Sequence, residues 1–223
     1  MNIELDTASN HESNKARFIT FEGGEGVGKS TNIEFCRTLL EAQGIEVIVT
    51  REPGGTEIAE VIREQLLKKT HQEKMCNVTE LLLVFAARAQ HIESLVKPAL
   101  ERGCWVLCDR FTDSTIAYQG YGRGLDLSLI SQLKTISQLG IEPDKTFLLD
   151  APVEIGMARA SARGPADRFE VEKLDFFTKV REGFLAVAQE SPQRIQLINA
   201  AQELSNVQAD LNQAINHLLE GTH

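Results

Sequence analysis

The sharpest chemical signal in the sequence is Gly23-Gly24-Glu25-Gly26-Val27-Gly28-Lys29-Ser30. It fits G-x-x-x-x-G-K-[ST], a phosphate-binding loop. Each residue type has a physical reason. The glycines permit backbone angles that turn successive N–H groups inward around a phosphate. A helix opening near Lys29 adds its positive end. The Lys29 ammonium can reach β- and γ-phosphates, and the Ser30 hydroxyl can ligate Mg²⁺. A Gly-rich turn with a chance Lys-Ser is the bland alternative. The flanks oppose it, because an apolar strand-like run precedes the motif and a helical pattern follows.

A phosphate loop alone does not separate switches, motors and kinases. A guanine-specifying N-K-x-D is missing: Asn14-Lys15-Ala16-Arg17 fails at its last position. Neither Asp109-Arg110-Phe111-Thr112 nor Asp150-Ala151-Pro152-Val153 reads D-x-x-G. A chain of 223 residues with no second module is also unlike a motor or helicase. What remains is phosphoryl transfer between small molecules. Two polyanions brought head to head need several arginines besides Lys29. Arg51 and Arg110 stand just beyond strand-like runs, Arg63 and Arg88 on neighbouring helical stretches, and Arg159, Arg163 and Arg168 around Gly164-Pro165. Any one arginine is more often a solvated surface charge. Arg51 and Arg110 escape that reading best by position.

The elements that must hold these groups follow from the pattern of apolar residues. Strands are expected at 18–21, 45–49, 105–108, 147–149 and 194–198. Helices are expected at 30–43, 58–67, 78–100 with a bend or break near Pro98, 125–139, from Pro152 towards Arg163, 172–189 and 204–219. Gly44 and Gly140 supply helix stops. Strand-helix alternation predicts an α/β fold, a five-stranded mostly parallel sheet with helices on both faces and ligands beyond the carboxyl ends of the strands. Asp109 ends one such strand. Capping the next helix is its alternative role.

Composition limits the remaining classes. Hydrophobic residues are 42% and charged residues 25%, which excludes wholesale disorder. A net charge of -9 argues against a general nucleic-acid or anionic-membrane binder. No apolar run reaches the ~20 residues of a membrane span. Residues 1–16 read as a disordered leader and 17–223 as one domain, with a lid at about 159–171. Cys36, Cys76, Cys104 and Cys108 are expected as reduced thiols, without metal-site spacing.

At this point the sequence resembles the thymidylate kinase family in its bacterial form. The resemblance runs from Phe18 to about His217. It rests on the phosphate loop, Thr50-Arg51-Glu52-Pro53-Gly54-Gly55-Thr56, Ala86-Ala87-Arg88-Ala89-Gln90, Asp109-Arg110-Phe111, Ala117-Tyr118-Gln119-Gly120 and the basic stretch 159–168. It implies a nucleoside monophosphate kinase fold with a lid, phosphorylation of dTMP to dTDP by ATP with Mg²⁺, and a homodimer; the cysteine usage points to the cytoplasm, and the acidic charge and the absence of a long apolar run to neither nucleic-acid nor membrane partners. By the same resemblance, residues 23–30 and Thr31 bind ATP, and Ser30 and Asp109 serve Mg²⁺. Lys29, Arg110, Glu25 and the lid arginines Arg163, Arg159 and Arg168 are catalytic, with Arg163 foremost. Arg51 and Arg110 hold the dTMP phosphate with Arg63 nearby, and Glu25 and Glu52 line the sugar-phosphate side. Arg88 and Gln119 read the thymine edge, and Thr115 assists. Tyr118 packs under the deoxyribose, with a half-buried core aromatic as the alternative. The stretch 78–100 is a candidate for part of the dimer interface, although core packing explains the same pattern.

One position departs from the family. Where its members usually stack a Phe on the thymine, four residues before the helix arginine, this chain has Val84, followed by Phe85. One helical residue turns a side chain by about 100°, so Phe85 is not a simple replacement. Val84 supports one alternative, a kinase of another nucleotide or nucleoside; a second alternative, of a different class, is a phosphate-loop regulatory or binding protein without turnover.

Overall fold

The computed structural model describes residues 15–69, 71–162 and 174–220. Its strands are β1 (Phe18–Glu22), β2 (Val47–Arg51), β3 (Trp105–Asp109), β4 (Lys145–Asp150) and β5 (Ile195–Asn199). They form one sheet in the order β2-β3-β1-β4-β5. Every neighbouring pair is parallel, so the expected mostly parallel sheet is parallel throughout these strands. From β1 the chain crosses to the edge strand β2, comes back to β3 beside β1, and then works outward on the other side through β4 and β5. The carboxyl end of β1 therefore opens into the crevice where such sheets take ligands.

The strands are apolar on both faces because helices cover both. Ile19 and Phe21 of β1, Trp105 and Leu107 of β3, and Phe147 and Leu149 of β4 pack with α1 (Lys29–Ala42) and α9 (Leu204–Glu220). The alternate residues Phe18, Val106 and Cys108 face Ile92, Val96 and Ala99 on the other side. There Leu148 meets α8 (Leu174–Glu190) through Phe176, Phe177, Val180 and Phe184.

α2 (Glu57–Val61) continues into a π-helical segment, Ile62–Lys68. The long expected helix is α3 (Asn77–His91), a π-helical stretch Ile92–Val96, and α4 (Lys97–Glu101). Pro98 does not break it. The wider turns just before Pro98 absorb its missing N–H and ring clash. The segment after β3 carries no marked helical apolar pattern, and a helix there enters the sequence reading only as the alternative in which Asp109 is a cap. It forms α5 (Thr112–Thr115) and a π-helical continuation, Ile116–Gly122. Tertiary packing overrides its poor helix propensity. A Cβ on Gly183 of α8 would lie 2.8 Å from the Tyr121 ring, so the two segments pack too closely for a larger residue there.

α6 (Leu127–Gln138) and α7 (Val153–Ser161) complete the set. Asp126 caps α6 by accepting from the Ser128 N–H at 2.7 Å. Of the expected leader, residues 1–14 lie outside the described residues. Of the expected lid, 159–161 end α7, and 163–171 lie outside the described residues. The four cysteines are free, with Cys76 exposed and the others buried.

Candidate active site

The phosphate loop joins β1 to α1. Lys29 is buried, and its Nζ donates to the carbonyls of Gly24 at 2.9 Å and Gly23 at 3.3 Å. Burial, and then the charge of Arg110, pulls the Lys29 pKa down. Val27 anchors the loop by entering the core beside Ile33. Ser30 and Thr31 are exposed at the start of α1. Gly26 (φ 70) lies against α7: a Cβ there would collide with the Gly156 carbonyl, and a Cβ on Gly156 would collide with that of Glu25. α7 is thus packed directly on the phosphate loop.

Arg110 follows β3 with φ 68, a left-handed backbone that costs a non-glycine residue about 1–3 kcal/mol. Its neighbours fix it there. Its N–H donates to the Phe21 carbonyl at 2.9 Å. The next N–H, of Phe111, donates to Glu22 at 2.7 Å. The guanidinium donates to the Gly23 carbonyl at 2.9 Å, Ser114 at 3.2 Å and Glu25 at 2.5 Å. It also lies 4.9 Å over the Tyr118 ring. Burial opposes the Arg110 charge, but Glu25, Tyr118 and Asp109 outweigh it and raise its pKa. Tyr118 donates to Glu25 at 2.8 Å while its ring packs with Phe176 and Phe184. Its ring packs in the core, and the residue also lines the cavity described below.

Helical spacing brings Glu80, Val84, Arg88 and His91 to the same side of α3, and all are buried. Arg88 is 1% exposed. Its Nε donates to Glu52 at 2.6 Å and its Nη2 to Thr115 at 3.0 Å. Its Nη1 is buried with no partner among the described residues. Glu52 also pairs with His91 at 2.9 Å, and His91 with Thr50 at 2.7 Å. Burial alone would raise the Glu52 pKa, but Arg88 and His91 bring it down. Gln119 donates its Nε2 to Glu80 at 2.9 Å. Arg63 donates to the Pro53 carbonyl at 2.8 Å, and burial, then Arg51, lowers its pKa. Phe85 turns away from Val84 to pack with Leu81 and Ile130.

One cavity of about 950 Å³, open mouth included, joins these groups. Glu25, Gly26, Gly28, Lys29 and Ser30 line it together with Glu52, Pro53, Arg63, Leu67, Val84, Asp109, Arg110, Ser114, Tyr118 and Gln119. Arg88 and Thr115 lie behind this wall. Asp109 makes no cap: α5 has no side-chain cap, and the buried Asp109 Oδ1 has no partner among the described residues. Arg51 is the last residue of β2 and is not in this lining. It pairs with Glu60 at 3.0 Å in a neighbouring depression shared by Ser30 and Asp109. Arg159 is also outside the cavity lining, and donates to the Ala200 carbonyl at 2.8 Å. Arg163 and Arg168 lie outside the described residues.

The sequence model of thymidylate kinases matches residues 21–211. The chain belongs to the thymidylate kinase family. Among similar proteins is the thymidylate kinase of Pseudomonas fluorescens strain Pf-5, 58% identical over 204 residues, which are 91% of this chain and 96% of that one. Another is that of Teredinibacter turnerae, 55% identical over 203 residues, 91% of this chain and 98% of the relative. Among solved structures, a thymidylate kinase from Ehrlichia chaffeensis superposes with a TM-score of 0.71 at 36% identity, covering 90% of this chain and 98% of that one.

Within this thymidylate kinase framework, several residues in contact with the candidate site were not singled out from the sequence. Glu22 and Ser114 brace Arg110, Glu80 and His91 brace Gln119 and Glu52, and Pro53 and Leu67 line the cavity. Glu80 and His91 had a readable signal: polar residues at helical spacing from Val84 and Arg88 on an otherwise apolar helix. Glu22 had none, since an acidic residue ending a strand is ordinary.

Proposed function

We propose that this thymidylate kinase family member transfers the γ-phosphoryl group of ATP to dTMP, giving dTDP and ADP. The observation that carries the reading is the single cavity in which the phosphate loop and Arg110 meet Val84 and Gln119. A dTMP phosphate oxygen attacks the γ-phosphorus, the bond from that phosphorus to the β–γ bridging oxygen breaks, and ADP leaves with the electron pair. The acceptor is already anionic near neutral pH, so no strong base is needed. Positioning and charge neutralisation carry the rate. Lys29 acts on the transferred group. Arg110, held by Glu25, meets the acceptor phosphate, supported by Arg51 and Arg63. Arg163, with Arg159 and Arg168, supplies charge from the lid, whose closure excludes water. Tyr118 supports the deoxyribose, while Arg88 and Gln119 address the base and Thr115 and Glu52 hold Arg88.

The donor set suits Mg²⁺. The Ser30 hydroxyl is exposed at the loop, and Asp109 offers a buried oxygen with no protein partner among the described residues. These two would hold the ion, Asp109 through its water shell. When bound, Mg²⁺ neutralises charge on the ATP phosphates. The reading extends to one kinase domain and to a homodimer. Exposed Ile58 and Val61 on α2 and Val78 and Leu82 on α3, apolar side chains without cover, support the homodimer reading. It also extends to the cytoplasm, a setting in keeping with four free thiols. No helix among the described residues is long and apolar enough to cross a membrane.

A coupled ADP-release assay with dTMP, dUMP, UMP, CMP and thymidine tests the reading. The highest kcat/KM is expected for dTMP. Preference for another acceptor assigns a different kinase, and no release with any of them assigns a binding protein without turnover.

A further inference from the structure

Resting on the reading of Gln119 as a base-facing residue, we infer that Glu80 is a specificity-positioning residue: it fixes the Gln119 carboxamide so that its oxygen, not its nitrogen, faces the nucleobase. Glu80 is 2% exposed and does not line the cavity, whereas Gln119 does. The Gln119 Nε2 donates to Glu80 Oε1 at 2.9 Å. Arg123 binds the same carboxylate, its Nε at 3.2 Å and its Nη2 at 3.4 Å. Arg123 is in turn fixed over the Phe176 ring at 4.6 Å.

The chemistry leaves one orientation. A carboxylate paired with a guanidinium is an acceptor only, so it demands the amide nitrogen. Reversing the amide would remove a charge-assisted hydrogen bond and set two acceptors against each other inside the protein. With the nitrogen committed to Glu80, the Gln119 oxygen is the polar atom left for the cavity. Glu52 does the complementary task for Arg88, whose Nη1 is a buried donor without a partner among the described residues. Gln119 in the wall and Arg88 just behind it thus offer an acceptor and a donor side by side. That pair fits the imide edge of thymine, which offers a ring N–H beside a carbonyl. It opposes the cytosine edge, which offers a ring nitrogen acceptor beside an amino donor. A site built for one pattern rejects the other because its buried groups are left unpaired.

Glu80→Gln tests this in the full chain. The new carboxamide can donate to the Gln119 oxygen, so the Gln119 amide is free to reverse. The dTMP-over-dCMP ratio of kcat/KM is expected to fall at least tenfold, with the KM for dTMP changed more than kcat. An unchanged ratio, even with a lowered melting temperature, overturns the inference and leaves Glu80 a purely structural residue. Arg123→Gln provides a second route if the Glu80→Gln protein does not fold. It keeps the carboxylate but loosens it, and should lower the ratio at least threefold; no change there overturns the inference equally. Gln119→Leu separates the two levels of the argument. If its KM for dTMP is unchanged, the base-facing reading of Gln119 fails. If that KM rises while Glu80→Gln keeps the wild-type ratio, only the role of Glu80 fails.

Discussion

Replacing Val84 with phenylalanine should tighten dTMP binding. Val84 is 7% exposed and lines the cavity beside Leu67, Tyr118 and Gln119. Its neighbour Phe85 is not available to substitute for it. That ring packs with Leu81 and Ile130 and carries the Arg88 guanidinium 4.9 Å above it. The added ring would therefore enter the cavity and not the core, avoiding the usual penalty of overpacking. Stacking an aromatic on a base contributes about 1–3 kcal/mol against alanine. In the proposed site valine would already cover part of the base, so the net gain is about 0.5–1 kcal/mol. At 1.4 kcal/mol per tenfold, that is a roughly two- to fivefold lower Kd. Calorimetric titration of both proteins with dTMP measures it directly. Weaker binding by Val84→Phe would refute the reasoning, because it would mean that the space beside Val84 is already filled when the nucleotide binds.

Lys29→Ala should lower kcat by at least about a hundredfold, the usual scale for removing one group that stabilises transition-state charge, with the circular dichroism spectrum unchanged. Turnover within tenfold of wild type would remove Lys29 from the mechanism. Arg163→Ala should lower kcat more than it raises the KM for dTMP, because the proposed contact of Arg163 with the γ-phosphoryl group would form mainly in the transition state. An unchanged kcat would shift that role to Arg159 or Arg168. Burial, reinforced by Asp113, pushes the Glu22 pKa from 4.5 up to about 7. Between those values the folded protein holds a proton that the unfolded chain has lost, so the contribution of Glu22 to stability falls as pH rises, by a few kcal/mol in all. Urea denaturation of wild type and Glu22→Gln at pH 5 and pH 8 checks the sign. The variant should lose less stability between the two pH values, and an equal loss would count against it.

Much of the frame is legible in the sequence, because strand residues buried on both faces form short apolar runs. β3 is expected at 105–108 and found at Trp105–Asp109. β2 shifts from the expected 45–49 to Val47–Arg51, because Ile45 is buried in the core just before the strand begins. The helical segment Thr112–Gly122 shows in the sequence only through the capping alternative for Asp109. Its Thr, Ser and Gly residues are weak helix formers, and packing against α8 holds it. The phosphate loop and Arg110 are visible as a motif and a strand end. Their bracing is not, since Glu22 meets Phe111 and Ser114 only after β1 and β3 pair. Likewise, the pairing of Glu52 with Arg88 and His91 joins residues far apart in sequence, and only the folded chain brings them together.

The central claim is that one cavity brings the ATP γ-phosphorus to a dTMP phosphate. Phosphorus-31 NMR of the purified protein with ATP, Mg²⁺ and dTMP follows every phosphorus at once. The account predicts that the dTMP and ATP signals decline together while dTDP and ADP grow in equal amounts, with little free phosphate. ADP formed with inorganic phosphate while the dTMP signal stays constant would contradict it.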